Sequence, residues 1–142
     1  MSTLLDTGPL LAAANSDDKD HERCASFFAD PPPGRVLLPS TVLVESCWLV
    51  NARLGANAHA TFLERISTDL ARGGLTLVEL VPEDVVRMAE LARTYRDARL
   101  DPADASVIAL AERLQIRQVA TLDRRDFSLV RPRHCSALTL LP

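Results

Sequence analysis

The stretch TLLDTGPLLAA, residues 3–13, carries one acidic side chain inside an apolar run. Residues 3–5 predict a short buried strand, and Thr7-Gly8-Pro9 predicts the turn that ends it. Asp6 lies at that junction, where a strand leaves the covered part of a sheet and meets solvent. Two interpretations stay open here: Asp6 caps a following helix, or it is the first ligand of a functional site.

The composition is typical of a soluble globular protein. The chain has 142 residues, 47% of them hydrophobic and 25% charged, which suits a single domain spanning residues 1–142. No apolar run approaches the ~20 residues that cross a bilayer, and no signal peptide precedes the first strand. The three cysteines lack metal-ligand spacing and fit reduced thiols. We therefore expect a cytoplasmic protein with no membrane partner.

Strand and helix patterns alternate along the chain. Further strands are predicted at residues 36–38, 75–80, 118–122 and 137–141. Helices are predicted at residues 21–29, 41–54, 57–72, 82–98 and 103–114, with Ser40, Asn57 and Asp101 as caps. This order predicts an α/β fold, a three-layer α/β/α sandwich with a mainly parallel central sheet. Sites in such folds lie beyond the carboxyl ends of the strands, where Asp6 and Asp123 are expected.

Two predicted helices carry an acid on an apolar face. The neighbours of Glu45 three and four positions away include Val42, Trp48 and Leu49, which places its carboxylate on or beside the stripe that packs on the sheet. Asp104 similarly shares a face with Val107 and Ile108. An ionised carboxylate on an apolar face is costly unless a partner compensates it.

Each of these acids, taken alone, also has a structural explanation. Asp101 caps a helix, and Asp104 in its first turn favours the positive end of the helix dipole. Asp123 fits a turn, and Asp126 fits the cap of a short turn before Phe127.

The acids taken together favour a metal site. In a sandwich of this kind, Asp6, Glu45, Asp104 and Asp123 converge above the sheet, where they would repel one another without a cation. Carboxylates are hard oxygen ligands that suit Mg²⁺ or Mn²⁺. No histidine or cysteine is suitably placed, which argues against zinc.

Four segments resemble, in order and spacing, the motifs of the PIN domain, and most closely its VapC branch, the toxins of type II toxin–antitoxin systems. They are LLDTGPLLA (4–12), PSTVLVESCWLV (39–50), LDPADASVIALAERL (100–114) and VATLDRRDF (119–127). The resemblance covers essentially the whole chain. It implies a PIN-like fold and a Mg²⁺- or Mn²⁺-dependent endoribonuclease.

The resemblance also implies roles for particular residues and partners. Asp6, Glu45, Asp104 and Asp123 match the catalytic, metal-binding acids of the family. Asp126 would assist through water, and the Thr7 hydroxyl would orient a ligand. The implied partners are an RNA substrate, a small DNA-binding antitoxin of the VapB type and a second copy of the chain.

The basic residues admit two interpretations. Net charge is -3, yet arginines gather towards the carboxyl end, at positions 113, 117, 124, 125, 131 and 133, with His134 beside them. Arg124, Arg125 and Arg131 would hold RNA phosphates at the rim of the site, or the cluster is simply a solvated face. Apolar side chains around Phe27, Phe28, Trp48 and Leu49 either receive a partner helix or belong to the core.

Two other functions remain as alternatives. A haloacid-dehalogenase-like phosphatase would use Asp6 as its nucleophile, but such enzymes carry a second aspartate two positions on, where Gly8 stands here. A non-catalytic PIN-fold binding module would keep the fold and bind a partner without needing the acids.

Overall fold

The structure is a computed structural model that describes residues 1–142. Five strands form one sheet: β1 Ser2–Leu5, β2 Arg35–Pro39, β3 Thr76–Val78, β4 Gln118–Ala120 and β5 Thr139–Leu141. They are ordered β3-β2-β1-β4-β5, and every neighbouring pair is parallel. The predicted parallel sheet is confirmed.

Seven α-helices flank the sheet. They are α1 Thr7–Ala14, α2 His21–Ala29, α3 Ser40–Leu54, α4 Ala56–Arg72, α5 Pro82–Thr94, α6 Pro102–Leu114 and α7 Arg124–Leu129, with a 3-10 turn at Arg96–Ala98. The sheet and its flanking helices confirm the predicted α/β sandwich. None of these helices combines the length and the hydropathy needed to cross a membrane.

The direction in which strands are added reverses between β1 and β4. From β1 the chain builds outward through β2 and β3, and it then returns to place β4 on the other side of β1. The Asp6 backbone N–H donates to the Ala120 carbonyl at 2.9 Å, so the pairing continues one residue beyond β1. A reversal of this kind leaves a crevice at the carboxyl edge of the sheet. Asp6 lies in that crevice.

Helix α6 is buried on almost every side. Each residue from Ala103 to Glu112 is buried, and the helix contacts α3, α5 and β1. A helix that is apolar all round is typical of a protein interior. The predicted apolar surroundings of Asp104 are therefore confirmed, since Val107 and Ile108 are fully buried and Asp104 is only 4% exposed.

The amino-terminal segment differs from the prediction in one important respect. Thr7-Gly8-Pro9 is not a turn but the first turn of α1, where proline is tolerated because its missing N–H would have no helical partner. Gly8 packs closely against the segment after β4, since a Cβ there would lie 3.0 Å from Leu122 Cβ. Glycine thus lets α1 begin directly against the segment that follows β4.

Several predicted boundaries are wrong. Helix α3 begins at Ser40 and α4 at Ala56, so neither Ser40 nor Asn57 is a cap. Strands β3, β4 and β5 are shorter than the predicted ranges 75–80, 118–122 and 137–141. Helix α5 ends at Thr94, and the chain then makes the 3-10 turn before Arg99 adopts a left-handed conformation with φ 53°. The three shortened strands keep only the residues that pair with a neighbouring strand.

The outer face of α3 also differs from expectation. Its buried residues are Val42, Ser46 and Val50, four positions apart, whereas Val44 and Trp48 lie about half a turn away and are 68% and 69% exposed. Core packing is therefore wrong for Trp48. It is right for Phe27, which is buried and stacks edge-on against Phe28 with ring centroids 5.2 Å apart.

Candidate metal centre

Three carboxylates meet at the carboxyl edge of the sheet. Asp104, Asp123 and Asp126 each offer an oxygen, and the three oxygens lie within 4.8 Å of one another. Asp104 begins the buried helix α6, while Asp123 and Asp126 lie at the start of α7. Asp104 and Asp126 are buried and Asp123 is exposed, so the cluster is closed below and open to solvent at one side.

Asp6 adjoins this cluster and is itself 4% exposed. Burial raises the pKa of its carboxyl above the usual range, and the negative charge of Asp123 raises it further. Hydrogen bonds from the Thr121 hydroxyl and the Thr7 backbone N–H partly oppose this shift in pKa. Asp6 is also the residue before α1, yet its side chain does not accept the hydrogen bond from the second or third helical residue that defines a cap. The simple capping interpretation of Asp6 is therefore wrong.

Asp104 is the most strongly perturbed acid. Burial, followed by the charge of Asp6, raises the pKa of Asp104 to about 11, and contacts with Asp123 and Asp126 add to the shift. Its Oδ2 is buried and has no hydrogen-bond partner. A buried carboxylate oxygen without a partner is expensive, so this atom marks the place where a cation would fit.

Glu45 reaches the site from α3 and is half-buried. Its Oε2 accepts a 2.7 Å hydrogen bond from the hydroxyl of Thr7, the residue that follows Asp6. The Thr7 hydroxyl was predicted to orient a ligand, and the structure shows it bonded to this glutamate. Glu45 and Asp6 both lie outside the set of oxygens within 4.8 Å. Asp6 interacts with Asp104 and Asp123, whereas the recorded side-chain contact of Glu45 is with Thr7.

The helix cap that the sequence assigned to Asp126 is in fact Asp123. Asp123 is the cap of α7, because its Oδ1 accepts the Asp126 backbone N–H at 3.2 Å. Asp126 is not a cap: it is 3% exposed, and its Oδ2 accepts the Asp101 backbone N–H at 3.4 Å. The carboxylate predicted to assist through water thus belongs to the closest group of oxygens.

Asp101 is a helix cap, as predicted. Its Oδ1 accepts the backbone N–H groups of Ala103 at 2.9 Å and Asp104 at 3.2 Å. This interaction fixes the first turn of α6 and therefore the position of Asp104.

Thr121 is a positioning residue that sequence reasoning missed. Its hydroxyl, 1% exposed, donates to Asp6 Oδ2 at 2.7 Å and accepts the Asp123 backbone N–H at 2.9 Å. One side chain therefore fixes acids that follow two adjacent strands. A polar β-branched residue at the end of an apolar strand, two positions before an aspartate, was the available signal.

We expect Thr121→Val to weaken metal binding by about 10–100-fold, because valine keeps the shape but loses both hydrogen bonds at the site. The apparent Mn²⁺ affinity from calorimetry measures this effect. Thr3→Val is the matched control, since Thr3 is equally buried on β1 but donates to Gln118 Oε1 near the other edge of the sheet. Equal losses in both variants would contradict the positioning role.

The arginines that were predicted as one cluster are divided by the structure. Arg113 pairs with Asp84, Nε to Oδ1 at 3.0 Å, and Arg133 pairs with Glu90 at 2.6 Å. Arg125 approaches the acids, with Nη1 3.4 Å from Asp126 Oδ1. Arg124, also on α7, and Arg131, just beyond it, are exposed and form no ion pair.

The donor set fits a divalent cation. It consists of carboxylates alone, it includes a buried oxygen with no partner, and no histidine or cysteine belongs to the close group. Oxygen ligands of this kind suit hard cations, and water can fill the open side of the cluster.

Comparison with known proteins identifies the family of the chain. The PIN domain family matches residues 3–131. The chain is 31% identical over 139 residues to Ribonuclease VapC26 of Mycobacterium tuberculosis, a match that covers 98% of this chain and 99% of the relative.

Solved structures share the fold. The structure of VapC20 from Mycobacterium tuberculosis, described as a sarcin-ricin loop cleaving toxin, has a TM-score of 0.80, 20% identity and 99% coverage of both chains. VapBC2 from Rickettsia felis, bound to a DNA fragment from its promoter, has a TM-score of 0.68 and 16% identity, covering 99% of this chain and 97% of that one.

The parallel sheet, its acidic crevice and the sequence match define a PIN-domain protein, and this chain belongs to that family. Its particular likeness within the family is to the VapC ribonucleases. The resemblance seen in the four sequence motifs is confirmed. The phosphatase alternative loses its support, because the second position after Asp6 is Gly8, within α1, and no acid stands there.

Proposed function

We propose that this protein is a metal-dependent endoribonuclease, one nuclease domain of residues 1–142, which hydrolyses RNA phosphodiester bonds as the toxin of a toxin–antitoxin pair. The observation that carries the proposal is the unpartnered, buried Oδ2 of Asp104 beside two other carboxylates. The 31% identity to a ribonuclease over nearly the whole chain supports the reaction and its substrate.

The acids act as cation ligands in this proposal. Asp104, Asp123 and Asp126 would hold the cation most closely, and Asp6 and Glu45 would complete the negative site. The chemistry supplied by Mg²⁺ or Mn²⁺ held there would be polarisation of the phosphodiester and activation of a water molecule as nucleophile. Asp123 is the exposed acid of the cluster, so it is the carboxylate that meets the incoming RNA and water.

The remaining polar groups keep these acids in place. Thr7 fixes Glu45, Thr121 fixes Asp6, and Asp101 fixes the turn that carries Asp104. Arg124, Arg125 and Arg131 offset the negative charge of the site and bind RNA phosphates. Aromatic residues are 4% of the chain, so stacking of bases contributes little to RNA binding.

Removal of the cation tests the reaction. Purified protein is expected to cut a mixed RNA substrate with Mg²⁺ or Mn²⁺, to lose cleavage in excess EDTA, and to regain it when the metal is restored. Mapping of the new RNA ends then gives the cleaved bond. Cleavage by the wild type that persists in EDTA and is absent from an identically purified Asp104→Asn sample would contradict the cation's role, because the protein would then cut RNA without metal.

An antitoxin of the VapB type is the proposed protein partner. A cavity of about 260 Å³ opens beside α1, α3 and α4 and is mostly apolar, with Leu10, Phe28, Val50 and Phe62 in its lining. An amphipathic helix fits such a groove. Co-expression with a VapB-type protein tests the pairing, and a short reading frame beside this gene would be the first candidate. A stable complex that blocks RNA cleavage is expected, and free, active toxin would contradict the pairing.

A homodimer is the proposed assembly, formed in the cytoplasm where the three free cysteines remain reduced. An open groove between α3 and α5 is lined by Val44, Trp48 and Met88, and Val85 on α5 is also 55% exposed. Burying these side chains against a second copy removes apolar area from water. Light scattering should give twice 15.5 kDa for the wild type and 15.5 kDa for Trp48→Glu; a monomeric wild type would contradict the dimer.

A further inference from the structure

Arginines crowd the surface on one side of the acidic cluster. Six of them, which we name the arginine ridge, are exposed on neighbouring segments: Arg93, Arg96, Arg99, Arg124, Arg125 and Arg131. The first three lie at the end of α5 and around the 3-10 turn. The others lie on α7 and just beyond it.

Three hydrogen bonds join these segments to one another and to the acids. Arg125 Nη2 donates to the Ala98 carbonyl at 3.3 Å, and the Arg131 backbone N–H donates to the Tyr95 hydroxyl at 3.1 Å. The Asp101 backbone N–H donates to Asp126 Oδ2 at 3.4 Å. The 3-10 turn and α7 therefore form one continuous surface that ends at the candidate metal centre.

The charges of the ridge are largely uncompensated. Of its six arginines, only Arg125 forms an ion pair with an acidic side chain, and its partner Asp126 is one of the clustered acids. The Arg96 guanidinium group donates to the Arg93 backbone carbonyl, and the Arg124 guanidinium group donates to the main-chain oxygen of Pro142, the last residue of the sequence. Elsewhere on the chain, Arg87 and Arg113 are paired with buried acids. The ridge is therefore available to an external anion.

The backbone at Arg99 is strained. Its φ of 53° and ψ of 54° lie in the left-handed region, which glycine adopts more easily than a residue with a Cβ. Strained residues persist where the surrounding structure holds them, and they concentrate at functional sites. Here the strained residue carries an exposed cation two positions before the cap of α6.

We propose that the arginine ridge binds the phosphates of the RNA strand next to the bond that is cut. The strand then crosses the 3-10 turn and α7 as it leaves the acidic site. This inference rests on the proposed function and deepens it by adding Arg93, Arg96 and Arg99 to the RNA-binding surface. Guanidinium groups bind phosphate oxygens in pairs, and such contacts position the strand without reading its bases.

Binding to non-cleaving protein tests the ridge directly. In an Asp104→Asn background, we compare Arg96→Ala/Arg99→Gly with the control Arg35→Ala/Arg117→Ala, which changes the net charge equally. Arg35 and Arg117 are exposed and unpaired at the amino ends of β2 and β4, at the edge of the sheet away from the acids. Fluorescence anisotropy with a labelled 12-nucleotide single-stranded RNA gives Kd across salt concentrations.

The ridge variant is expected to bind RNA about tenfold more weakly near 0.1 M salt, with the slope of log Kd against log salt reduced by about 1.4 for two lost phosphate contacts. The control is expected to change Kd less than twofold. Glycine at position 99 also relieves the left-handed strain, so thermal melting should show that the ridge variant is folded.

Three results would overturn the inference. Equal loss of binding in both variants means that only the net charge matters. Unchanged binding in the ridge variant means that RNA follows another path. Loss of antitoxin binding with RNA binding retained means that the surface recognises protein. If the wild type shows no metal-dependent cleavage, the proposed function fails; if it cleaves RNA and the ridge variant binds normally, only the ridge fails.

Discussion

An Asp104→Asn variant should lose RNA cleavage by about a thousandfold or more, and it should melt at a higher temperature than the metal-free wild type. The loss follows because an amide is a poor ligand for a hard cation and would leave the proposed metal centre incomplete. The gain in stability follows because burial and the charge of Asp6 make an ionised Asp104 unfavourable. A shift of roughly 3–8 °C is expected for a chain of this size.

The neighbouring Asp101 provides a matched control. Asp101→Asn makes the same chemical change three positions earlier, and asparagine caps a helix about as well as aspartate. Its cleavage rate should remain within a few-fold of the wild type. If Asp104→Asn cleaved RNA at the wild-type rate, the acids would not be the catalytic centre, and the interpretation as a non-catalytic binding module would gain support.

The metal-free protein should lose stability as the pH rises. Asp104 has a pKa of about 11 when folded and an ordinary value of 3.8, and the pKa of Asp6 is also raised. Between those two values the folded state binds more protons than the unfolded state, so the free energy of unfolding falls with increasing pH. Urea denaturation in EDTA at pH 5, 7 and 9 measures the trend, and Asp104→Asn should flatten it.

Addition of Mn²⁺ should reverse this dependence. The cation binds the ionised carboxylates, so its affinity grows with pH, and at one hundred times Kd it stabilises the folded state by about 2.7 kcal/mol. The same measurements with Mn²⁺ in place of EDTA check this. A metal-free stability that is flat or rises from pH 5 to pH 9, or no effect of Mn²⁺ at pH 9, would contradict the description of the site.

The sequence was sufficient for the plan of the fold and for most of the acids. Strand patterns that alternate with helix patterns predicted the parallel sheet, because a helix between two strands carries the chain back to start the next strand in the same direction. Asp104 was recognisable because its neighbours on the same helix face are apolar. Asp101 was recognisable because an aspartate directly before a proline at a helix start is a typical cap. These signals are local and are present in short stretches of the chain.

Other features depend on contacts between distant segments. The hydrogen bond from Thr121 to Asp6 joins residues 115 positions apart and exists because β4 lies beside β1, an order that no local pattern specifies. The sequence left both core packing and partner binding open for Trp48, because its position on the outer face of α3 is decided by which helices cover that face. The close approach of Asp126 to Asp104 depends on how α7 packs against α6.

The central place of β1 in the sheet has a consequence for how the protein is made. A ribosome releases the first strand early, but the partner strand that completes the acidic crevice belongs to the last quarter of the chain. A half-synthesised chain therefore has its first aspartate and its glutamate without the acids that complete the cluster. The full set of acids comes together only when translation is nearly finished.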